Sequence, residues 1–350
     1  ITRPVTKAIL MLSISVVIPT HNRPDFLIEA IESINGQSYL PCEIIVVDDG
    51  SVPPVNEDAL IALFGSTVRV VRNDRSIGIG QVRKLGVNHA TGDLVAQLDD
   101  DDRFAEHALQ QAVNTFQGTP DIDVVFLNVK GFGPKSDHFA QAQSSSLNQV
   151  LETAQAERDQ SGLTVFQNQK LFEALLNSVP SAFQHPVARR GTWETIYRLM
   201  DLARESDLDD PELENLRADQ LNECEWALYA AGTTNVVLLN DYLYLARCGH
   251  DRFYSVTRAK NSQALASYRM KRGLMKLASS RDQFASLKPA IQFAYGKALF
   301  NLGYQKFRVG QICESRSRVK QAMSVDFRVR YLRFLLRTYL PLRRDEDSDS

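Results

Sequence analysis

Residues 99–102 are four consecutive aspartates, and they close the apolar run LVAQL. Adjacent like charges repel, so one aspartate is enough to cap a following helix, and three more add cost unless a cation offsets them. Asp99 and Asp101 lie two apart and can bring carboxylate oxygens to a hard divalent ion such as Mg²⁺ or Mn²⁺, which keeps open positions for phosphate oxygens. The plainer alternative is a solvated surface run. Two further polar clusters follow apolar runs in the same way: Pro19-Thr20-His21-Asn22-Arg23 after SISVV, and Asp48-Asp49-Gly50-Ser51 after EIIVV.

The segments that must position these clusters alternate in type. SISVVIP (13–19) is β-branched and apolar, and RPDFLIEAIESING after it places Phe26, Leu27, Ala30, Ile31 and Ile34 at helical spacing. The pattern repeats with strands at 43–49, 68–73 and 93–99, and with helices near 56–64, 79–90 and in AEHALQQAVNTF. Near-continuous apolar strands between amphipathic helices predict an α/β domain with a doubly wound, mostly parallel, Rossmann-like sheet. In such sheets ligands bind beyond the carboxyl ends of the strands, where all three polar clusters fall.

Beyond a further strand at 123–129 the rhythm changes. Residues 134–162 are rich in Gln and Ser and predict a mobile loop with a short helix. SAFQHPVARR reads as a strand, TWETIYRLMDLARE as a helix, SDLDDPE as a linker, DQLNECEWALYAAG as a helix and NVVLLNDYLYLARC as a strand pair or one long strand. From about 258 the signal is helical, giving a C-terminal α-helical extension. Its stretch LFNLGYQKFRVGQICESRSRVKQAM resembles one tetratricopeptide-type hairpin, and a single copy cannot build a solenoid, so a helical cap is the simpler expectation.

VVIPTHNR, EIIVVDDGS, GQVRKLGVNHATGD and LVAQLDDDD, in that order and spacing, resemble the family 2 glycosyltransferases with the GT-A fold. The similarity covers residues 13–130 well and 180–255 more loosely. It implies an inverting sugar transfer from a nucleoside diphosphate donor, most often a UDP-sugar, to a saccharide or lipid-linked acceptor of the kind used in polysaccharide and cell-envelope synthesis. By the same resemblance Asp49 reads the nucleotide base, Pro19, Thr20 and Asn22 line base and ribose, and Asp99 and Asp101 are the ends of a DxD metal motif with Asp100 at the ribose. Arg83 stands where the family often has Ala-Arg-Asn, although the triplet here is Val82-Arg83-Lys84. It faces either the diphosphate or solvent.

The resemblance also implies a carboxylate base at a helix start, about a hundred residues past the metal motif. The family's Glu-Asp pair is here Asn222-Glu223, so Glu223 is the expected base, with Glu225 or Asp219 as alternatives. In YLARCGHDRFYS, Arg247 and His250 match a diphosphate-closing motif, and His250 can also ligate a metal or be an ordinary surface histidine. Arg189 and Arg190 match an acceptor-side position, with His185 nearby to orient the acceptor.

The remaining features bound the reading. A net charge of −2 over 350 residues gives no footprint for nucleic acid, and Cys42, Cys224, Cys248 and Cys313 lack paired zinc-ligand spacing or the density of a disulfide scaffold. No run reaches a membrane span, and a cytoplasmic location is expected. FRVRYLRFLLRTYLPLRR (327–344) carries six arginines and no acid. Tyr331, Phe334, Leu335 and Thr338 share one helical side there, which suits either an anionic bilayer surface at the inner face of the cytoplasmic membrane or a core helix flanked by snorkelling arginines. The expected divisions are an upstream extension (1–12), a nucleotide-sugar half (13–130), an acceptor half (131–257), a helical region (258–343) and an acidic tail (344–350). Two other classes stay in play: a nucleotidyltransferase, and a nucleotide-sugar-binding protein without catalysis.

Overall fold

The computed structural model describes residues 11–213, 222–249 and 259–339. Its described residues within Ile1–Asp201 and Arg217–Phe253 form one compact unit, and those within Leu202–Leu216 and Tyr254–Ser350 a second.

The first unit begins with strand β1 (Ile14–Thr20), helix α1 (Pro24–Asn35), β2 (Glu43–Asp48), α2 (Glu57–Phe64), β3 (Val68–Arg72), α3 (Ile79–His89) and β4 (Leu94–Gln97). Every residue of β1, β2 and β4 is buried, as expected for strands covered on both faces. The chain continues through β5 (Arg103–Phe104), α4 (Ala108–Gly118), β6 (Val124–Phe132), α5 (Ser136–Thr153), β7 (Glu157–Arg158), β8 (Thr164–Val165), α6 (Asn168–Leu175), β9 (Pro186–Arg189), α7 (Arg190–Arg204), α8 (Asn222–Thr233) and β10 (Val236–Arg247). The strand order is β3-β2-β1-β4-β9-β6-β10-β8-β7, with β5 paired to β10.

β3, β2, β1 and β4 run parallel, as do β6 and β10. The parallel expectation breaks at β9, which enters antiparallel between β4 and β6. Two local devices hold the parallel half in register. Glu43 takes bonds from Ser15 Oγ, Thr91 and Arg69, and these outweigh the effect of burial, which alone would raise its carboxyl, and bring it down to about 2. Gly86 lets α3 lie close on β1, since a Cβ there would meet Val17 Cγ1 at 2.2 Å.

Segment 134–162 differs from its expected loop: it is largely the 18-residue helix α5. Val150 is its single buried residue and Phe139 packs partly against the sheet's core. A helix with so narrow an apolar stripe shows almost no periodic signal in its sequence.

The second unit contains α9 (Ala259–Ser280), α10 (Lys288–Arg308), α11 (Ile312–Val325) and α12 (Val329–Arg337). The hairpin of α10 and α11 closes tightly because Gly303 has no side chain; a Cβ there would lie 2.7 Å from Val319 Cγ2. The expected linker is instead a 3₁₀ turn, Glu205–Asp209, followed by buried Asp210, which pairs with Arg318 at 3.0 Å and accepts from Tyr268 Oη at 2.7 Å. Tyr331 and Leu335 of α12 and Thr338 just after it are buried, and Phe300 stacks on Tyr331 at 4.4 Å. The core-helix alternative thus accounts for this side. Phe327, Val329 and Leu336 stay exposed, as do Arg330, Arg333 and Arg337. No helix among the described residues is long and apolar enough to cross a membrane.

Candidate active site

Because β1, β2 and β4 are parallel neighbours, their following loops meet at one edge of the sheet. After β1, Thr20 Oγ1 donates to Asp100 Oδ2 at 2.8 Å. Asn22 adopts φ 57°, a left-handed conformation that asparagine tolerates, and its Oδ1 accepts from Val52 N at 2.7 Å. His21 Nδ1 lies 2.7 Å from the Asp49 carbonyl. Pro19 is buried within β1.

The Asp49 carboxylate accepts from Asn73 Nδ2, Ser76 Oγ, Ile77 N and Gly78 N at 2.7–3.1 Å. Four donors fill a carboxylate's capacity, so in this state Asp49 orders the 73–78 loop and is not free to read a base.

The four aspartates divide their work. Asp99 pairs with Arg83 at 2.6 Å; Asp100 and Asp101 both pair with Arg23, at 3.2 and 3.0 Å. Asp102 accepts from Arg247 N at 2.7 Å and from Tyr244 Oη at 3.0 Å. Burial, together with neighbouring Asp101 and Asp99, pushes the Asp100 carboxyl up to about 6 against the opposing pulls of Thr20 and Arg23. Carboxylate oxygens of Asp99, Asp101 and Asp102 lie within 4.8 Å of one another. An all-oxygen set of this spread suits a hard divalent ion, and the Arg23 guanidinium already stands as a cation against two members of the run.

Arg83 is the hinge of the site. It is 4% exposed, and it ion-pairs with Glu223 at the start of α8 as well as with Asp99. Its solvent-facing alternative is therefore removed. Burial alone would lower its pKa, but Asp99 carries it above the ordinary arginine value. Glu223 is partly accessible, whereas Glu225 is 2% exposed. Two residues on, a helix has turned by roughly 200°, so the two glutamates face differently.

Glu223 also lines a small cleft of about 10 Å³, room for about one water, with Gln97, Gln184, Pro186, Trp193, Asn222 and Trp226. Asn222 Nδ2 and Trp226 Nε1 are buried donors without a hydrogen-bond partner there, and the Trp193 and Trp226 rings lie 4.1 Å apart. The two rings pack on each other, and the open amide and indole N–H groups are donors that a hydroxyl could satisfy.

The other expected residues divide. Arg247 reaches the site, but its guanidinium is taken up by the Asp101 carbonyl and Glu29, and it lies 4.7 Å from both the Phe26 and Phe132 ring centres. His185 stacks on Tyr244 at 3.6 Å. Arg189 and Arg190 require correction. As β9 is antiparallel, Arg189 sits beside Leu94, the first residue of β4, and bonds to the carbonyls of Pro120 and Ile122; Arg190 bonds to that of Gly92. Both lie at the opposite edge of the sheet from the aspartates. Asp219 and His250 fall outside the described residues. The sequence reading missed Arg23 and Tyr244. Arg23 was visible as the last residue of PTHNR, while Tyr244 lies 142 residues from Asp102 and gave no local signal.

A mostly parallel sheet, extended by strands of mixed direction and carrying an acidic run beyond β4, agrees with the fold that the resemblance to GT-A glycosyltransferases implies. Residues 15–175, a little under half of the chain, match the model for glycosyl transferase family 2. Glycosyltransferase GlyG of Streptococcus pneumoniae is 33% identical over 128 residues, 36% of this chain and 42% of that protein. The matched stretch thus spans less than half of this curated relative. Among solved structures, S. aureus TarS 1-349 covers 94% of this chain and 91% of its own at 18% identity and TM-score 0.47. Mannosyltransferase PcManGT from Pyrobaculum calidifontis, in complex with GDP-Man and Mn²⁺, covers 93% and 79% at 14% identity and TM-score 0.45.

Proposed function

We propose that this protein transfers a glycosyl group from a nucleoside diphosphate sugar, UDP-sugars first among them, to a hydroxyl of a saccharide or lipid-linked acceptor, with inversion. One observation carries the reading: a single buried guanidinium, Arg83, joins the acidic run at Asp99 to the candidate base Glu223 at the mouth of an aromatic cleft. Donor phosphates, sugar and acceptor hydroxyl would then meet within one side chain's reach.

A divalent ion held by Asp99 and Asp101, with Asp102 beside them, would supply Lewis-acid stabilisation of the departing diphosphate. Arg83 adds fixed positive charge at the same place and ion-pairs with Glu223. Glu223 then takes the acceptor's proton on a carboxylate oxygen as that hydroxyl attacks the anomeric carbon. Attack from the face opposite the leaving diphosphate inverts the configuration. Asn222 and Trp226 offer their open N–H groups to sugar oxygens, and the tryptophan faces exclude water. Thr20 and Asn22 hold the loop over the nucleotide. A peripheral site at an anionic bilayer, if the acceptor is lipid-linked, is supported by the exposed side of α12, where Val329 and Leu336 lie among Arg330, Arg333 and Arg337.

The test is a panel of UDP- and GDP-sugars, followed by melting temperature and by release of nucleoside diphosphate, with Mn²⁺ or with chelator. One donor is expected to raise the melting temperature by several degrees, since ligand at a hundred times its Kd adds about 2.7 kcal/mol, and to be turned over only with metal. Stabilisation without turnover in the presence of acceptor saccharides would favour a binding protein without catalysis. No response to any donor would remove the proposal.

A further inference from the structure

Arg83 and Arg247 each have an acid outside the aspartate run, Glu223 and Glu29 respectively. Arg23 is placed otherwise. Its ion pairs are with Asp100 and Asp101, so its charge is balanced by the run itself. It sits at the N-cap position of α1, and about a third of its side chain is exposed. No side-chain cap bond ties it to the helix.

A carboxylate oxygen facing a guanidinium at 3.0 Å cannot also serve a metal ion without bringing two cations within a few ångströms. We propose that Arg23 is the run's exchangeable counter-ion: it holds Asp100 and Asp101 in the free protein, is displaced when a divalent cation takes Asp101, and then turns to the phosphates of the donor. The inference rests on the reading of the run as a cation site. It explains how Asp100 and Asp101 are tolerated side by side before any donor arrives, and it makes cation and donor bind together: among the described residues the displaced guanidinium has no other acid partner, and the diphosphate supplies the missing negative charge. Arg23 shares its loop with Thr20 and Asn22, so the exchange also moves the segment that covers the nucleotide.

The experiment measures Mn²⁺ binding, by calorimetry and by the electron paramagnetic resonance signal of free Mn²⁺, to the full chain without nucleotide. Arg23→Gln is expected to bind Mn²⁺ about tenfold more tightly than the wild type, and to bind nucleoside diphosphate in saturating Mn²⁺ about tenfold more weakly. Arg23→Lys keeps the charge and should stay near the wild type in Mn²⁺ affinity. Equal or weaker Mn²⁺ binding by a folded Arg23→Gln protein would overturn the exchange while leaving the cation site standing; absence of Mn²⁺ binding from every form would overturn both. Should Arg23→Gln not fold, phenylglyoxal labelling of the wild type replaces it. Mn²⁺ alone should raise the reactivity of Arg23 and added nucleoside diphosphate should lower it, and unchanged reactivity would overturn the proposal.

Discussion

Asp101→Ala is expected to abolish Mn²⁺-dependent donor binding and to lower turnover by roughly a thousandfold, the scale on which a metal's several kcal/mol of charge stabilisation acts. Asp101 meets the Arg23 guanidinium, which is about a third exposed. Asp102 is committed to the backbone of Arg247 and to Tyr244, and Asp100 to Thr20. Asp101 contributes its partly exposed pair with Arg23, and pairs of that kind are worth about 0–1 kcal/mol. The variant should therefore melt within a few degrees of the wild type. Calorimetry of donor binding with and without Mn²⁺, alongside a melting curve, separates loss of the site from loss of the fold. Activity that survives in both the variant and chelator would count against a metal role.

Glu223→Gln is expected to leave donor affinity nearly unchanged and to reduce turnover about a hundredfold, the usual contribution of a general base. The amide keeps the volume and can still accept from Arg83, so the Arg83–Asp99 pair should persist. The loss should appear in kcat and not in the donor's KM. Normal turnover would pass the base role to Asp219 or Glu225. The burial of Glu225 argues against it, because an acceptor hydroxyl must reach the carboxylate.

The parallel half of the fold was readable in the sequence because its signals are local. ISVVIPT, EIIVVD and LVAQ are unbroken apolar runs, each ending in residues that cannot continue a buried strand. Direction is not a local property. Nothing in PVAR announces an antiparallel strand, and that reversal alone moved Arg189 and Arg190 to the far edge of the sheet. The helix α5 was unreadable for another reason, since a surface helix of Gln, Ser and Ala anchored at Val150 carries no stripe. At the site, the aspartates, Arg83 and Glu223 could be identified by type and spacing, but their partners could not. The links from Arg83 to Glu223, from Arg23 to Asp101 and from Tyr244 to Asp102 join positions far apart in the chain. Asp49 is the sharpest instance: its residue type suits base recognition, while its four bonds tie it to the 73–78 loop.

The most direct measurement is anomalous scattering at the manganese edge from crystals grown with Mn²⁺ and a nucleoside diphosphate. The account predicts one peak about 2 Å from oxygens of Asp99 and Asp101, in contact with the diphosphate. A bound diphosphate with no manganese at this run, or manganese only at some other surface, would contradict it.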